Sequence, residues 1–378
     1  MNPAPLAVTH VVENLNRGGL ERVVIDLVLA QRAAGDRVRV VCLFEPGALA
    51  GELTSRGVEV SACRKGSGFD LAALRRLRVL LGADDAHTVV HTHNLLAHDY
   101  AALALLGIRR SAFLNTRHGM GGTPVGRLRA TLYRLSMPRT DRVVAVCAAA
   151  QRNLIERERL PAAKVVSVPN GIPIETFTAA SAAAHERLTA VLGLSSATRI
   201  VGFVGRLNWA KDLPTLLRAF AQVRTQRADA ALVLVGDGAL RAELEALAAA
   251  LGIAAHVHFL GDRNDVRELL PGFDLFAMSS VTEGYSIALL EAAATGLPIV
   301  ATAVGGNAEI ARDGVNGRSV PSGDPAALAA AVEALLGEPA EAVQMGRRGR
   351  EWALREATVE RMHTRYRELY ESIAKGSP

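Results

Sequence analysis

With 378 residues, the chain exceeds what one hydrophobic core usually supports, so two domains of ordinary size are expected. A make-up of 49% hydrophobic and 21% charged residues excludes disordered and collagen-like chains. Aromatic residues reach only 4%, too few for the stacking platform of a single-stranded nucleic-acid binder, so nucleic acid is not an expected partner and the net charge of +5 needs another explanation.

Short β-branched runs alternate with stretches of helical period from the start: Leu6 to Val12, Leu20 to Ala33, Val38 to Leu43, then Thr88 to His91 and Val143 to Val146. That alternation predicts parallel βαβ units. The segment Ser167-Val-Pro-Asn-Gly-Ile-Pro173 breaks it with two prolines and an Asn-Gly, and reads as a domain linker. The pattern restarts with Arg199 to Val204, Leu213 to Arg224, Ala231 to Val235, Leu240 to Leu251, His256 to Leu260, Leu275 to Met278, Ile287 to Thr295 and Pro298 to Thr302. Beyond Pro325 only helical patterns follow, ending in a charged amphipathic stretch from about Ala357 to Ala374. The expected fold is therefore α/β, with two Rossmann-like doubly wound parallel-sheet domains and the ligand in the cleft between them. The expected boundaries are 1–172, 173–356 and a C-terminal helix, 357–378, packing back on the first domain.

Cys42, Cys63 and Cys147 form no Cys-x-x-Cys pair, which suits a reducing compartment. The first strand runs directly into Glu13 and Arg17, so no signal peptide is expected, and the apolar run Ala292 to Ala308 is broken by Gly296, Pro298, Gly305 and Gly306. A cytoplasmic protein is expected.

The strongest chemical signal is Thr282-Glu283-Gly284-Tyr285-Ser286-Ile287-Ala288-Leu289-Leu290-Glu291-Ala292. Gly284 and Ser286 mark a loop turning into a helix with Ser286 as N-cap, and the unpaired N–H groups of such a helix start suit a diphosphate. Glu291, inside the helix, could accept hydrogen bonds from ribose hydroxyls, and Glu283, before it, could reach a sugar on the other side of the phosphates. Arg206 and Lys211 supply the countercharge in the loop Gly205 to Asp212, in a chain whose only other lysines are Lys65, Lys164 and Lys375. A diphosphate leaving group needs such cations where no metal is present. No Asp-x-Asp occurs, no Walker motif occurs, and Gly236-Asp237-Gly238 is not completed because Arg241 takes the last glycine's place. No metal or cofactor is expected.

These residues resemble the GT-B retaining glycosyltransferases of family 4, also called glycosyl transferases group 1. The resemblance runs from Asn16-Arg17-Gly18-Gly19-Leu20-Glu21 through Val168-Pro169-Asn170-Gly171-Ile172, Val204-Gly205-Arg206-Leu207, Lys211-Asp212 and Gly236-Asp237-Gly238 to Glu283-Gly284-Tyr285 and Glu291 to Val300. It implies a retaining, metal-independent transfer from a UDP- or GDP-sugar to a glycan or lipid-linked acceptor, of the kind that builds bacterial surface polysaccharide or glycolipid. It also implies Arg206 and Lys211 as the diphosphate pair, Glu291 as ribose ligand and Glu283 as the carboxylate near the donor sugar. Backbone N–H groups of Ser286, Ile287, Ala288 and Leu289 would hold phosphate oxygens. The loop Gly261 to Asn264, with Arg263, would meet the base. Gly18 and Gly19 would let the first domain approach the phosphates, and His118, in Thr116-Arg117-His118-Gly119, would contact the transferred sugar. Gly-Tyr-Ser stands where many relatives have Gly-Phe-Gly, which implies a narrower or more polar sugar pocket. His91 and His93 carry no assigned role and are expected only to line the cleft.

Arg127, Arg129, Arg134, Arg139 and Arg142, interleaved with Leu128, Leu132, Tyr133, Leu135 and Met137, read as a basic amphipathic helix suited to an anionic membrane, with the enzyme peripheral on its inner face. Two rivals stay open at this point: a nucleotide-sugar epimerase of the same fold, and a binding protein without turnover.

Overall fold

The computed structural model describes residues 4–85, 87–120 and 127–376. The chain divides into two compact units, one taking in the chain up to Gly171 together with the stretch from Val359 on, the other running Ile172–Thr358.

The first unit is built on seven strands: β1 (Ala7–Val12), β2 (Arg37–Cys42), β3 (Glu59–Ala62), β4 (Val89–His93), β5 (Ala112–Arg117), β6 (Arg142–Ala145) and β7 (Val165–Ser167). Their order is β3-β2-β1-β4-β5-β6-β7, and every pairing is parallel. Alternate residues of one strand face opposite ways, and the two cores divide accordingly. Val12, Val40 and Cys42 pack with Val24, Ile25 and Val28 of the helix Gly19–Ala33. Val11, Val41 and Val90 pack with Leu77 and Leu81 of the helix Leu71–Gly82 and Ala97 and Tyr100 of the helix Asn94–Ala104. Chain direction across the sheet reverses between β1 and β4, so the loops after these two strands flank a topological switch point, where open α/β sheets bind ligands.

The helix Val359–Gly376 belongs to this unit and packs against the helix Gly19–Ala33 and β5. Val359, Met362, Tyr366, Tyr370 and Ile373 are buried, a helical three-or-four spacing that puts them all on one stripe. Arg367 on its flank meets Asp36 at 3.0 Å.

The second unit carries β8 (Arg199–Val204), β9 (Ala230–Val235), β10 (Val257–Gly261), β11 (Leu275–Met278), β12 (Ile299–Thr302) and β13 (Gly317–Val320) in the order β10-β9-β8-β11-β12-β13, again all parallel. β9, Ala-Ala-Leu-Val-Leu-Val, is buried throughout, as expected where helices cover both faces. Its switch point lies between β8 and β11.

The sequence reading passed over β3, β5, β7 and β13. β5 reads Ala-Phe-Leu-Asn-Thr-Arg, yet all six residues are buried because Asn115, Thr116 and Arg117 find partners inside the fold. The basic stretch near residue 130 is also corrected. Its helix runs Arg127–Ser136 and stops there; Arg139 sits in the turn that follows and Arg142 opens β6. Tyr133 and Met137 point into the protein, whereas Leu135 is exposed. The side chains of Arg127, Leu128, Arg129 and Leu132 lie outside the described residues.

Candidate active site

In the second unit, the two loops flanking the switch point are tied to each other. The loop after β8 enters through Gly205, passes Arg206 and ends in Lys211 and Asp212 before the helix Leu213–Gln226. The loop after β11 carries Ser279 to Ser286 into the helix Ile287–Thr295. Val281 N–H donates to Ala210 O at 2.9 Å, and Ser279 Oγ donates to the carbonyls of Lys211 and Asp212 at 2.8 and 2.9 Å. Asp212 has φ +44°, a left-handed conformation that few residues other than glycine adopt, and the Ser279 hydroxyl pins the turn in which it occurs.

Lys211 Nζ is paired with Glu283 Oε1, which also accepts from Ser280 Oγ at 2.7 Å. Both members are largely shielded, with side chains 17% and 11% exposed, so the pair is held in a low-dielectric setting. Arg206 is exposed and makes no ion pair or side-chain hydrogen bond among the described residues. Ser286 caps the helix Ile287–Thr295, its Oγ 3.5 Å from Leu289 N–H, which leaves the N–H groups of Ile287 and Ala288 without an acceptor among the described residues. Glu291 lies half-buried in the second turn of that helix.

The neighbouring loops are packed as closely. Leu207 N–H donates to Asp237 O at 3.0 Å, and a Cβ on Gly236 would sit 2.1 Å from Gly205 O. Only glycine lets these two backbones touch, and with φ +129° at Gly236 the requirement is doubled. Arg263, after the edge strand β10, is committed to Asp265 at 2.7 and 2.5 Å, two strands away from the switch point.

In the first unit, Gly18 precedes the helix Gly19–Ala33 in extended backbone, at the end of the loop after β1. His118 follows β5, and the structure connects it to a chain of buried side chains that the sequence reading did not join. His-Thr-His in β4 puts His91 and His93 on one face, and the register sets His10 of β1 beside His91. His118 Nε2 lies 2.9 Å from His93 Nδ1, His93 Nε2 lies 3.0 Å from His10 Nδ1, and His10 Nε2 lies 2.8 Å from Gln31 Oε1. A second branch runs from Gln31 Nε2 to Tyr370 OH at 3.4 Å, from Tyr370 OH to His91 Nδ1 at 2.8 Å and from His91 Nε2 to Thr116 Oγ1 at 2.7 Å. His91 and His93, 0% and 2% exposed, therefore do not line a cleft, and His91 sits beneath the helix Val359–Gly376. Burial pushes His10 down to about 4 and His118 down to about 3, and lowers His91 and His93 too, so all four rings are neutral at pH 7. Ring nitrogens of His10, His91 and His93 lie within 4.8 Å of one another, a spacing that could suit a metal ion. Every one of their nitrogens is already engaged in the hydrogen bonds just given, which argues for the network.

The family described as Glycosyl transferases group 1 matches residues 185–352, and that described as Glycosyltransferase Family 4 matches residues 17–176. EpsF of Bacillus subtilis (strain 168) is 30% identical over 311 residues, 79% of this chain and 80% of its own. The GDP-mannose-dependent alpha-(1-6)-phosphatidylinositol monomannoside mannosyltransferase of Mycolicibacterium smegmatis is 32% identical over 297 residues, 74% of this chain and 75% of its own. The chain belongs to the group 1 glycosyltransferases. Among solved structures, Anabaena Alr3699/HepE in complex with UDP and glucose matches with a TM-score of 0.86 at 22% identity, over 97% of this chain and 100% of that one. Sucrose-phosphate synthase from Thermosynechococcus elongatus matches with a TM-score of 0.84 at 21% identity, over 98% and 100%. At these identities the likeness carries the fold, which is GT-B.

The activity of this glycosyltransferase is sugar transfer, and the epimerase reading falls with that finding. Of the residues singled out from the sequence, Lys211 and Glu283 are in direct contact, while Arg206, Ser286, Ile287, Ala288, Leu289 and Glu291 share the switch point of the second sheet. Gly18 and Gly19 are at the start of the first helix of the first unit, and His118 directly follows β5. Ser279, Ser280, Gln31 and His10 escaped the sequence reading; two adjacent serines just past a buried strand were the only available hint of the first pair. Among the described residues no helix is long and apolar enough to cross a membrane.

Proposed function

We propose that this glycosyltransferase moves a sugar from a UDP- or GDP-sugar to a glycan or lipid-linked acceptor, with retention at the transferred carbon and without a divalent cation, in surface polysaccharide or glycolipid synthesis. The observation that carries the reading is the convergence at one switch point of a loop bearing Arg206 and Lys211 with the uncapped N–H groups of the helix Ile287–Thr295. Two cations and a helix start are the charge a departing diphosphate needs, and their fixed geometry makes them effective. The GDP-mannose named for one relative and the UDP bound in the Anabaena structure support a nucleotide-sugar donor.

In this reading the second unit holds the donor, with Glu291 on the ribose and the Arg263 loop toward the base, and the first unit holds the acceptor, with Gly18, Gly19 and His118 as substrate contacts. When donor enters, Lys211 exchanges its contact with Glu283 for phosphate oxygens, and Glu283 turns to the sugar hydroxyls. The acceptor hydroxyl oxygen bonds to the anomeric carbon as the bond to the diphosphate breaks on the same face. The electron pair leaves with the diphosphate, and the hydroxyl proton passes to the departing phosphate oxygen. Positioning and electrostatics supply the rate. An anionic membrane partner rests on the helix Arg127–Ser136, where Arg134 and Leu135 are exposed, and equal binding to anionic and neutral vesicles would remove it.

The deciding experiment screens UDP-, GDP- and ADP-sugars for thermal stabilisation, which a ligand of the folded state produces by mass action. Turnover is then followed with and without chelator, and the anomeric configuration of the product is read by NMR. Stabilisation by one donor, chelator-resistant turnover and a retained anomer are expected. Activity lost to chelator and restored by manganese, or an inverted product, overturns the proposal.

A further inference from the structure

The hydrogen bonds around His118 have a direction as well as a length. An uncharged imidazole donates from one nitrogen and accepts at the other, so in a file of neutral rings the polarity of one bond fixes the next. Gln31 ends the file. Its Oε1 can only accept, which requires His10 Nε2 to carry the proton and leaves His10 Nδ1 as an acceptor. His93 Nε2–H then donates to it, His93 Nδ1 is bare, and His118 Nε2–H donates in turn.

We infer that Gln31, through His10 and His93, fixes the tautomer of His118, so that His118 presents an unprotonated Nδ1 and meets its substrate as a hydrogen-bond acceptor. The three residues are positioning residues, and the group they position is the lone pair on His118 Nδ1.

The orientation of the Gln31 amide is set at the far end of the file. The other arm of the amide reaches Tyr370 OH at 3.4 Å. With this placement Nε2 donates to Tyr370 and Oε1 accepts from His10; the reverse placement would turn every proton in the file the other way and put an N–H on His118 Nδ1. The second branch follows without conflict, since Tyr370 O–H then donates to His91 Nδ1 and His91 Nε2–H to Thr116. At the far end, His118 Nδ1 is buried and has no partner among the described residues. A buried N–H left without an acceptor is rarer than an acceptor left without a donor, so the bare nitrogen belongs there. Burial keeps the ring neutral, because His118 is pushed down to about 3, and an imidazolium would have no lone pair to offer.

An acceptor at Nδ1 selects for hydroxyls, which donate, over carbonyl or phosphate oxygens, which do not. The inference rests on the proposed function only for that last step, in which the hydroxyl belongs to the transferred sugar; the tautomers exist in the free protein.

The test therefore needs no substrate. The full chain is labelled with 15N-histidine, a His118→Gln variant assigns its resonances, and long-range proton–nitrogen spectra with through-hydrogen-bond nitrogen couplings read which nitrogen carries each proton. Expected are Nε2–H on His10, His93 and His118, with couplings from His118 Nε2 to His93 Nδ1 and from His93 Nε2 to His10 Nδ1. Gln31→Glu keeps an acceptor and preserves this polarity, whereas Gln31→Leu lets both polarities form, so that His118 shows both tautomers. An Nδ1–H on His118 in the unaltered chain overturns the inference, and so does unchanged polarity in Gln31→Leu. If Gln31→Leu does not fold, the unaltered chain and Gln31→Glu still decide. Correct tautomers alongside a His118→Gln variant of undiminished turnover would leave the inference standing and remove only the sugar contact.

Discussion

At the scale of single residues, the pair Lys211–Glu283 combines two demands that can be separated. Lys211→Ala leaves Glu283 shielded with Ser280 as its one side-chain partner among the described residues, and an uncompensated charge of that kind costs about 3–5 kcal/mol when buried, less here because neither side chain is fully enclosed. The same change removes one preorganised donor, and turnover should fall by about 10²–10³-fold. Adding Glu283→Ala should return most of the lost stability in urea unfolding but none of the lost turnover; recovery of both together would mean that Lys211 acts only as a structural counter-ion. These residues were legible because their chemistry is local: a glutamate, a helix cap and a second glutamate lie within nine positions. Gln31 and His10 were not, nor was the link from His93 to His118, since the four come from separate places in the chain and meet only when β1, β4 and β5 pair.

Among the elements, the helix Ile287–Thr295 depends on its first turn. Ser286→Ala removes the capping hydroxyl, which at 3.5 Å is a long contact, so the cost should lie near the lower end of the usual range, about 0.5–1 kcal/mol. Nucleotide binding should weaken little, because the N–H groups proposed to hold phosphate remain; a loss of more than about tenfold in calorimetry would show that the hydroxyl itself is a ligand. Gly236→Ala, by contrast, drives a methyl into Gly205 O and should unfold the loops at the ends of β8 and β9, seen as lost thermal stabilisation by any nucleotide. The long buried strands were readable from β-branched runs, as in Arg-Ile-Val-Gly-Phe-Val. Short strands such as β13, Gly-Arg-Ser-Val, were not, because four residues at a sheet edge need no apolar alternation to pair.

For the whole molecule, the buried histidines set an acid limit. His10 is pushed down from 6.5 to about 4, His98 and His118 to about 3, and His91 and His93 are lowered as well. Their folded values lie below the unfolded one, so the stability they contribute is complete above pH 6.5. It is lost as pH falls from 6.5 toward 4, because only the unfolded chain takes up protons there. Each such ring costs up to about 1.4 kcal/mol per pH unit in that window. Against a domain stability of about 5–15 kcal/mol, five such rings should lower the urea midpoint of the first unit markedly between pH 7 and pH 5. A urea midpoint that is the same at pH 7 and pH 5 would refute this. The two-domain plan was readable from length and from the restart of the strand–helix rhythm, whereas the imidazole network was hidden by distance along the chain.

Tyr366 and Tyr370 complete the buried flank of a sheet whose first strand is made some 360 residues earlier. On a ribosome adding about 5–20 residues per second, the stretch from Gly171 to Val359 takes about 10–40 s to appear. Throughout that interval the nascent first unit holds its histidine-bearing face uncovered. Translation pauses in the gene segment encoding the second unit should therefore raise the yield of misassembled protein more than equal pauses after Tyr370 has emerged.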